Sequence, residues 1–244
     1  MCGIAGKISF NSRPITSTDL QKMSKQISHR GPDDEGTFMS PNRKVGLANC
    51  RLAIIDLSSS GHQPMTYKHL TITFNGEIYN YQILRQKLVN EGVRFHSHTD
   101  TEVVLVLYAK YGPACLKYLR GMFAFAIYDH LKQTVFIARD RLGKKPLKYF
   151  SDGQVFIFAS ELKAILTQPE IKRRVDWLAI HYYLTLGYCP APFTGFENVH
   201  KLEPGHYLLI DIKTGQVKKE KYWQLDFNNK LDLSENEWSK KIID

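Results

Sequence analysis

Short β-type segments joined by turn sequences recur along most of this chain and restrict the folds it can adopt. Phe150 and Val155 flank an Asp-Gly turn at 152–153, and a later hairpin turns at the Thr-Gly pair 214–215. Strands joined by such short turns pair antiparallel. Segments with helical spacing of apolar residues are few and lie between the strands. The pattern predicts an α+β domain built on packed antiparallel sheets.

The predicted elements cover most of the 244 residues. Apolar and alternating runs predict strands at 2–10, 36–39, 45–55, 70–74, 123–128, 134–138, 206–212 and 217–222, with shorter ones around 150 and 155. Helical spacing predicts helices through 20–27, 81–90, 100–112, 161–166 and 176–186. After Trp223, Ser234 and Glu237 have the spacing of a capping box that opens one more helix. Because a lone helix cannot bury its apolar stripe, we expect a second domain to begin there.

Charge and composition argue against several classes of function. The formal net charge is +9, but the basic clusters are scattered and lack interleaved aromatic residues, which is typical of solvated faces rather than of a nucleic-acid site. No apolar run could cross a bilayer, and the first residues do not form a signal peptide. The four cysteines are widely spaced, and the pair His96 and His98 lacks further ligands, so neither disulfides nor a metal site are predicted. We expect a cytoplasmic protein without nucleic-acid or membrane partners.

Cys2 is the strongest candidate for chemistry because it directly follows the initiator Met1. Removal of Met1, which a small following side chain favours, would leave a thiol and a free α-amine on one residue. Such an amine has an ordinary pKa of about 8 and can act as a general base near neutral pH. A nucleophile beside its own base is the arrangement of enzymes that use an N-terminal Thr. The alternative is that Cys2 is a small apolar residue opening a buried strand.

Asn75-Gly76, Arg51 and Asp100 are further candidates, and each has a structural alternative. An Asn-Gly pair usually marks a hairpin turn, but here a helix pattern follows within a few residues. A tight turn at the strand end would aim the carboxamide and a backbone N–H in one direction, as an oxyanion site requires. Arg51 either forms an internal ion pair or binds a substrate carboxylate. Asp100 either starts a helix or holds a substrate ammonium group.

In this order, these features resemble the glutaminase domain of class II glutamine amidotransferases, which are N-terminal-nucleophile hydrolases. The resemblance covers essentially the whole chain and rests on MCGIAG, HRGPDDEG, RLAIIDLSSSGHQPM, FNGEIYNY, SHTDTEVVL, GMFAFAIYD, ARDRLGKKPLKY, SELKAIL and KLEPGHYL. The second and third of these motifs are more similar to glutamine-hydrolysing asparagine synthetases than to sugar-phosphate or phosphoribosyl amidotransferases. The implied fold has four layers, αββα, with two packed antiparallel sheets.

The resemblance implies a role for each matching position. Cys2 is the implied nucleophile with its own amine as the base, and Asn75 with the Gly76 N–H forms the implied oxyanion hole. The implied substrate-binding residues are Arg51 for the α-carboxylate, Asp100 with Glu77 for the α-ammonium group, and Leu52, Ile54, Ile55, Asn75 and Gly76 around the rest of the pocket. No metal ligand is implied.

The resemblance also divides the chain. Residues 2–223 correspond to the glutaminase domain, and residues 224–244 to a linker and the first helix of a truncated synthetase domain. In the family that domain binds ATP with Mg through an S-G-G-x-D-S loop, which this sequence lacks, so no cofactor is expected in this fragment. The implied partners are glutamine, the synthetase domain and, as an open alternative, a second copy of the chain in a homodimer.

The implied reaction is hydrolysis of glutamine to glutamate, supplying ammonia for ATP-dependent amidation of aspartate. One alternative keeps the glutaminase but changes the ammonia acceptor to another carboxylate, such as a sugar acid in polysaccharide biosynthesis. The other alternative belongs to a different class and makes the chain a catalytically silent regulatory module.

Overall fold

The computed structural model describes residues 1–228 and 230–243, which contain twelve strands and six α-helices. The strands are β1 Gly3–Ser9, β2 Asp34–Met39, β3 Val45–Arg51, β4 Met65–Tyr67, β5 Leu70–Ile78, β6 Gly121–Asp129, β7 Thr134–Arg139, β8 Lys148–Ser151, β9 Val155–Ala159, β10 Val199–Lys201, β11 His206–Asp211 and β12 Val217–Lys221. The helices are α1 Ser17–Ile27, α2 Tyr81–Asn90, α3 Asp100–Tyr111, α4 Leu162–Ile165, α5 Trp177–Leu186 and α6 Glu235–Ile243.

The strands form two six-stranded sheets in which neighbouring strands pair antiparallel. The first sheet has the order β10-β8-β9-β1-β3-β2, and the second has the order β12-β11-β7-β6-β5-β4. In the first sheet β1 lies beside β3, with Gly3 opposite Cys50. In the second sheet β5 pairs with β6 over its whole length, from Leu70 to Ile78. Both sheets therefore have the hairpin-rich, antiparallel character that the turn sequences predict.

Strand β1 shows how the layers pack, because its successive side chains point to opposite faces. Ile4 and Ile8 lie in the core between the two sheets, together with Ala126 of β6. Ala5 lies in the core beneath α1, together with Ile27. All five side chains are completely buried. The strand is covered on both faces, which accounts for its nearly continuous apolar composition.

The outer face of the second sheet is covered by α2 and α3. Helix α3 buries Val103 and Leu107 against the sheet, and the ring of Tyr108 stacks on that of Phe136 with 4.9 Å between centroids. Together with α1 and α4 on the first sheet, this gives the layer order helix, sheet, sheet, helix. The predicted four-layer αββα arrangement is confirmed.

Most predicted elements are confirmed within a few residues, but two strands have different ends and two short strands were not predicted. The strand predicted at 45–55 ends at Arg51, and the one predicted at 70–74 continues to Ile78. The second strand is longer because β6 offers nine residues of antiparallel partner, which carry the pairing past the Asn-Gly pair. The short strands β4 and β10 have too few residues to show a periodic pattern.

Helix α5 forms where its spacing predicts, but the structure does not bury the face that the spacing defines. Trp177 and Leu184 are 76% and 78% exposed, and Ala179 is the buried residue of the helix. The helix ends at Gly187, whose φ of +76° is the left-handed conformation typical of a helix C-terminus. Periodicity therefore predicts the helix correctly and says nothing of whether its apolar face has a partner.

Helix α6 begins as the capping box predicts. The Glu237 carboxylate accepts hydrogen bonds from the Ser234 N–H at 2.9 Å and from its Oγ at 2.6 Å. None of the described residues of α6 is buried. Asn229 and Asp244, which belong to the predicted linker and helix at 224–244, lie outside the described residues. Within the described part of the chain, no helix is both long and apolar enough to span a membrane.

Candidate active site

A cavity of about 190 Å³ brings together every residue that the sequence analysis assigns to a site. It lies where the first residues of the chain, the end of β3, strand β5 and the start of α3 meet. The predicted residues that line it are Cys2, Arg51, Leu52, Ile54, Ile55, Asn75, Gly76, Glu77 and Asp100. Other lining residues, to which the sequence analysis gave no role, include Asp56, Gly61, Gln63, Met122 and Lys145.

Cys2 immediately precedes β1, and the alternation of side chains along that strand turns it toward the space between the sheets, like Ile4. Its Sγ lies 3.4 Å from the backbone nitrogen of Leu52 and 3.7 Å from the carbonyl oxygen of the same residue. An N–H donated to sulfur stabilises the thiolate form. Met1 lines the same cavity and is 54% exposed. The thiol therefore faces the cavity and is anchored by the residue that follows β3.

Arg30 fixes the backbone of the Cys2 residue. Its Nε donates to the Cys2 carbonyl oxygen at 3.0 Å, and its Nη1 donates to Glu161 Oε1 at 2.9 Å. The next residue, Gly31, packs so closely that a Cβ there would collide with the Cys50 carbonyl. Arg30 belongs to the HRGPDDEG motif, but the motif alone predicts no role for it. The signal was present in the motif, but the contact spans 28 residues of sequence.

Asn75 and Gly76 lie inside strand β5, so the predicted turn at the strand end is wrong. Asn75 pairs with Ala124 and Gly76 with Phe123 of β6. A Cβ at Gly76 would collide with the carbonyl oxygen of Met122, so the close approach of the two strands requires glycine here. An Asn-Gly pair forms a hairpin turn when no other strand pairs with it. Here the nine-residue strand β6 pairs with it, so the two residues stay extended.

The open edge of β5 supplies the directed N–H groups that the turn was expected to supply. Strand β4 pairs only with the first three residues of β5. Beyond them, the Phe74 N–H donates to Gln63 Oε1 at 2.7 Å and the Ile78 N–H donates to Asp100 Oδ2 at 2.9 Å. Alternate residues of a strand present their N–H groups to the same edge. The Gly76 N–H therefore points to this edge too, on the side of the cavity.

The Asn75 carboxamide is the most unusual polar group of the cavity. The residue is 1% exposed, and its Nδ2 is buried without a hydrogen-bond partner among the described residues. Such a buried donor costs about 1–3 kcal/mol and calls for a physical explanation. An oxyanion formed next to the Cys2 sulfur could accept hydrogen bonds from both this Nδ2 and the Gly76 N–H. The arrangement therefore suits a reaction in which negative charge develops on oxygen.

A buried polar network fixes β5 against β3 behind the cavity. Asn49 Nδ2 donates to Gln63 Oε1 and to Thr73 Oγ1, both at 3.1 Å. Gln63 Nε2 in turn donates to Thr101 Oγ1 at 3.3 Å. The network joins the two sheets and the first turn of α3. It holds the strand that carries the carboxamide in a fixed position relative to β3, and the residue after β3, Leu52, contacts the thiol.

Arg51 ends β3, and only 7% of its surface is exposed. Its guanidinium donates to the carbonyl oxygens of Ser58, at 3.2 Å, and of Asp56. A Cβ at Gly61 would collide with Nη2, so glycine there makes room for the guanidinium. Backbone carbonyls carry no net charge, and an Arg side chain has five N–H donors. These contacts therefore orient the guanidinium and leave its charge available to a carboxylate.

Asp100 is the first residue of α3, and its carboxylate is buried. Burial raises its pKa to about 6, and the neighbouring charge of Glu77 also raises it, whereas the N–H donated by Ile78 lowers it. At neutral pH most molecules therefore hold an ionised, desolvated carboxylate beside a second acidic side chain. A ligand ammonium group would supply the missing positive charge.

Asp56 has the opposite environment in the same cavity. Its carboxylate accepts hydrogen bonds from Ser58 Oγ at 2.6 Å and from the N–H groups of Ser58 and His98. These bonds lower the pKa of Asp56 to about 2. The carboxylate ties the segment after β3 to the segment before α3, so its function is structural. His98 contributes a backbone N–H here, and the described residues contain no metal-binding cluster.

Comparison with known proteins identifies the family to which the chain with this cavity belongs. Residues 1–223 match the family model of the glutamine amidotransferase domain. The chain belongs to this family.

Two relatives of this amidotransferase domain are longer proteins. One, from Methanocaldococcus jannaschii, is provisionally named a glutamine-hydrolyzing asparagine synthetase and is 42% identical over 245 residues, covering 92% of this chain and 47% of the relative. Asparagine synthetase (glutamine-hydrolyzing) 3 of Bacillus subtilis is 38% identical over 238 residues, covering 95% of this chain and 38% of the relative. The amidotransferase domain thus spans less than half the length of these curated relatives.

The fold of the amidotransferase domain also occurs in a solved structure. Glutamine phosphoribosylpyrophosphate amidotransferase from Bacillus subtilis superposes with a TM-score of 0.65 at 20% identity, over 92% of this chain and 50% of that one. The two packed antiparallel sheets flanked by helices, which the sequence predicts, are therefore shared with this solved amidotransferase. At this identity the likeness concerns the fold alone.

Proposed function

We propose that the chain hydrolyses glutamine to glutamate and ammonia in this cavity, with Cys2 as the nucleophile after removal of Met1. The observation that carries the proposal is the Asn75 Nδ2, a buried donor without a partner among the described residues, in the cavity that the Cys2 thiol also lines. An oxyanion hole requires a donor of this kind, held ready before the charge forms.

The chemistry follows from the residue types. The Cys2 α-amine takes the thiol proton, and the thiolate forms a bond to the side-chain carbonyl carbon of glutamine. The carbonyl oxygen becomes an oxyanion, which accepts hydrogen bonds from Asn75 and the Gly76 N–H. Collapse of this intermediate breaks the carbon–nitrogen bond, and the leaving nitrogen takes the proton from the Cys2 ammonium to depart as ammonia. Water then attacks the thioester through a second oxyanion, releasing glutamate and the thiol.

The rest of the cavity suits the charged end of glutamine. We assign the α-carboxylate to the Arg51 guanidinium, since a planar fork of donors matches a carboxylate. The α-ammonium group is assigned to Asp100 with Glu77, whose negative charges need a cation. Leu52, together with Ile54 and Ile55, would border the substrate along the segment after β3. Specificity for glutamine then depends on two ion pairs at fixed positions.

We further propose that the ammonia serves ATP-dependent amidation of aspartate by a following synthetase domain. The support is the naming and the greater length of the relatives. Residues 2–223 would form the glutaminase domain, and residues 224–244 a linker and the first helix of the next domain, with ATP and Mg bound there. Another carboxylate, such as a sugar acid, remains the alternative acceptor.

The decisive experiment is intact-protein mass spectrometry before and after incubation with 6-diazo-5-oxo-norleucine, a glutamine analogue that traps reactive thiols. We expect a mass that lacks Met1, and then a single adduct that peptide mapping assigns to Cys2. Protection by glutamine would show that the adduct forms in the substrate site. A processed chain that forms no adduct, alone or within its full-length protein, would contradict the glutaminase proposal and favour the silent regulatory module.

A further inference from the structure

Lys145 is a buried cation of the cavity to which the proposed binding of glutamine gives no task. The residue is 3% exposed and lines the cavity together with Cys2 and Glu77. Arg51 already accounts for the substrate carboxylate. Burying an ammonium group is expensive unless an opposite charge or hydrogen bonds compensate for it. Its place in the cavity wall therefore needs a reason of its own.

The backbone around Lys145 is firmly held, so the position of its side chain is specified. The Asp140 carboxylate accepts the N–H of Lys145 at 2.9 Å and also the N–H groups of Leu142 and Lys144. The carbonyl oxygen of Lys145 accepts a hydrogen bond from Arg139 Nε at 2.8 Å. The side chains of Asp140 and Arg139 thus hold both backbone polar groups of Lys145, its N–H and its carbonyl oxygen. This is the rigid support that a functional side chain requires.

The Lys145 Nζ donates to the sulfur of Met1 at 2.9 Å. A thioether is a weak acceptor without charge, so it cannot compensate an ammonium group. Removal of Met1 takes this acceptor away. The Lys145 ammonium then faces a cavity whose wall includes the Cys2 thiol and the Glu77 carboxylate.

We propose that Lys145 is a positioning residue whose ammonium group stabilises the Cys2 thiolate and disfavours protonation of the Cys2 α-amine. This rests on the proposed function in one respect, namely that Cys2 is a nucleophile with a free amine. A nearby cation favours an anionic sulfur and opposes a second cation. Both effects favour loss of one proton from the fully protonated thiol and amine, so that Cys2 can attack glutamine at neutral pH.

Several charged groups besides Lys145 surround the Cys2 thiol and α-amine, and the effect of Lys145 has to be distinguished from theirs. The charges that act on Lys145 are those of Cys2, Arg30, Glu77 and Asp140. Arg30 holds the Cys2 carbonyl and adds positive charge, whereas Glu77 favours a protonated amine and a neutral thiol. The Asp140 charge is engaged by backbone N–H groups. Burial lowers the pKa of Lys145, and the Cys2 sulfur opposes that change, as a favourable pair requires.

The test measures the pH dependence of Cys2 alkylation by iodoacetamide, in protein that mass spectrometry shows to lack Met1. Peptide mapping distinguishes alkylation of Cys2 from alkylation of the other cysteines, so the measured rate is that of Cys2. Lys145→Met and Lys145→Gln remove the charge, Lys145→Arg keeps it, and Lys144→Met is the matched control because Lys144 is the exposed neighbour. We expect the pH at which the alkylation rate is half-maximal to move to a higher value when the charge is removed. The arginine variant and the Lys144 control should match the wild type.

A second measurement separates positioning from a structural role. The acid limb of the pH profile of kcat/KM for glutamine should move to higher pH in Lys145→Gln, by the same amount as the alkylation profile. Folded variants that lose activity equally at all pH values, with an unchanged alkylation profile, would overturn the proposal. If wild-type protein is not trapped by the glutamine analogue, yet the alkylation profile shifts as expected, the glutaminase proposal fails and the Lys145 proposal stands.

Discussion

Strand β5 and the segments around it, from the end of β3 to the start of α3, use their polar groups in opposite ways. On β5, the Asn75 Nδ2 is buried without a partner in the described part of the chain, and the Gly76 N–H points to an open strand edge. In the surrounding segments, Arg51 donates to two carbonyls, Asp56 accepts three hydrogen bonds, and Asp100 accepts the Ile78 N–H.

This difference indicates that the two sets of groups have different functions, recognition of the substrate charges and stabilisation of the charge that forms during the reaction. A charged group that already has hydrogen-bond partners before substrate arrives is held in place and can recognise a charge that does not change during the reaction. A donor left without a partner gains most when charge forms on a reacting atom. Substitutions on β5 should therefore lower turnover, and substitutions of Arg51 or Asp100 should change which substrates bind.

The largest effect is expected at the nucleophile. Cys2→Ala should lower glutamine hydrolysis by at least about 10⁴-fold, because no thioester can form. The measurement is glutamate release under saturating glutamine. Glutamine should still bind, since the charged groups that we assign to it are unchanged. Cys189→Ala is the control, because its half-buried thiol lies outside the cavity, and it should keep full activity.

Asn75→Ala should lower kcat on the order of 10²–10³-fold, about 3–4 kcal/mol, with little change in the affinity for glutamine. The physical reason is the loss of a donor that acts on the transition state rather than on the bound substrate. Steady-state kinetics of Asn75→Ala measures the effect on kcat. Calorimetric binding of glutamine to Cys2→Ala and to the double variant Cys2→Ala/Asn75→Ala measures the effect on affinity. Turnover at the wild-type rate would remove Asn75 from the oxyanion hole.

Arg51→Met should lower kcat/KM for glutamine by about 10²-fold, because charge-assisted hydrogen bonds to the α-carboxylate are lost. The same variant should lose far less activity on a small amide that lacks the α-carboxylate. The comparison of the two substrates is the measurement, and a thermal melt checks that the loop around Ser58 and Gly61 is still folded. Equal losses on both amides would contradict the carboxylate assignment and leave Arg51 a structural role.

The smallest expected effect is a pH dependence of binding that Asp100 controls. Its pKa of about 6 means that the carboxylate is ionised above pH 6 and protonated below it. The Kd for glutamine, measured by calorimetry on Cys2→Ala protein, should therefore rise about tenfold between pH 7 and pH 5. In Cys2→Ala/Asp100→Asn protein, binding should be weak and independent of pH over this window. A dependence that survives the Asn substitution would point to another group.

The same residue gives a check on stability. A carboxyl group whose pKa is raised in the folded state binds protons more tightly when folded, so the contribution of Asp100 to stability should increase as the pH falls from above 6 toward 4. Asp100→Asn removes the cost of the buried charge and should raise stability at pH 7 by about 1–3 kcal/mol. Urea unfolding at pH 7 and pH 5 measures both. A stability difference between the wild type and Asp100→Asn that does not shrink from pH 7 to pH 5 would contradict the stated environment of Asp100.

The layers of the fold and the composition of the cavity were predictable from sequence. Turn pairs and strand patterns predicted the antiparallel sheets, and every residue assigned to the site lines one cavity. The sheets follow from local patterns and the grouping of the assigned residues follows from the resemblance, whereas the roles of these residues stay predictions. The conformation of Asn75-Gly76 was not predictable, because the choice between turn and strand is made by β6, more than forty residues later in the chain.

Contacts between distant segments could not be predicted from the sequence for the same reason. Lys145 reaches Met1 across 144 positions, and Arg30 reaches Cys2 across 28. Gln63 accepts the N–H of Phe74 only because β3, β5 and α3 meet behind the cavity. Lys145 and Arg30 lie within motifs that were quoted for the resemblance. Their partners are set by packing, which no local spacing encodes.

The alternation along β1 has one further consequence for a protein whose second residue faces a cavity. Cys2, Ile4 and Ile8 share the face toward the other sheet, whereas a Cβ at Gly3 would press against Ile27 of α1. An insertion or deletion of one residue between Cys2 and Ile4 would point the thiol toward the helix layer. The core that holds the strand would stay unchanged. The number of residues between the start of the chain and its first buried side chain is therefore as much a part of the active site as any side chain in it.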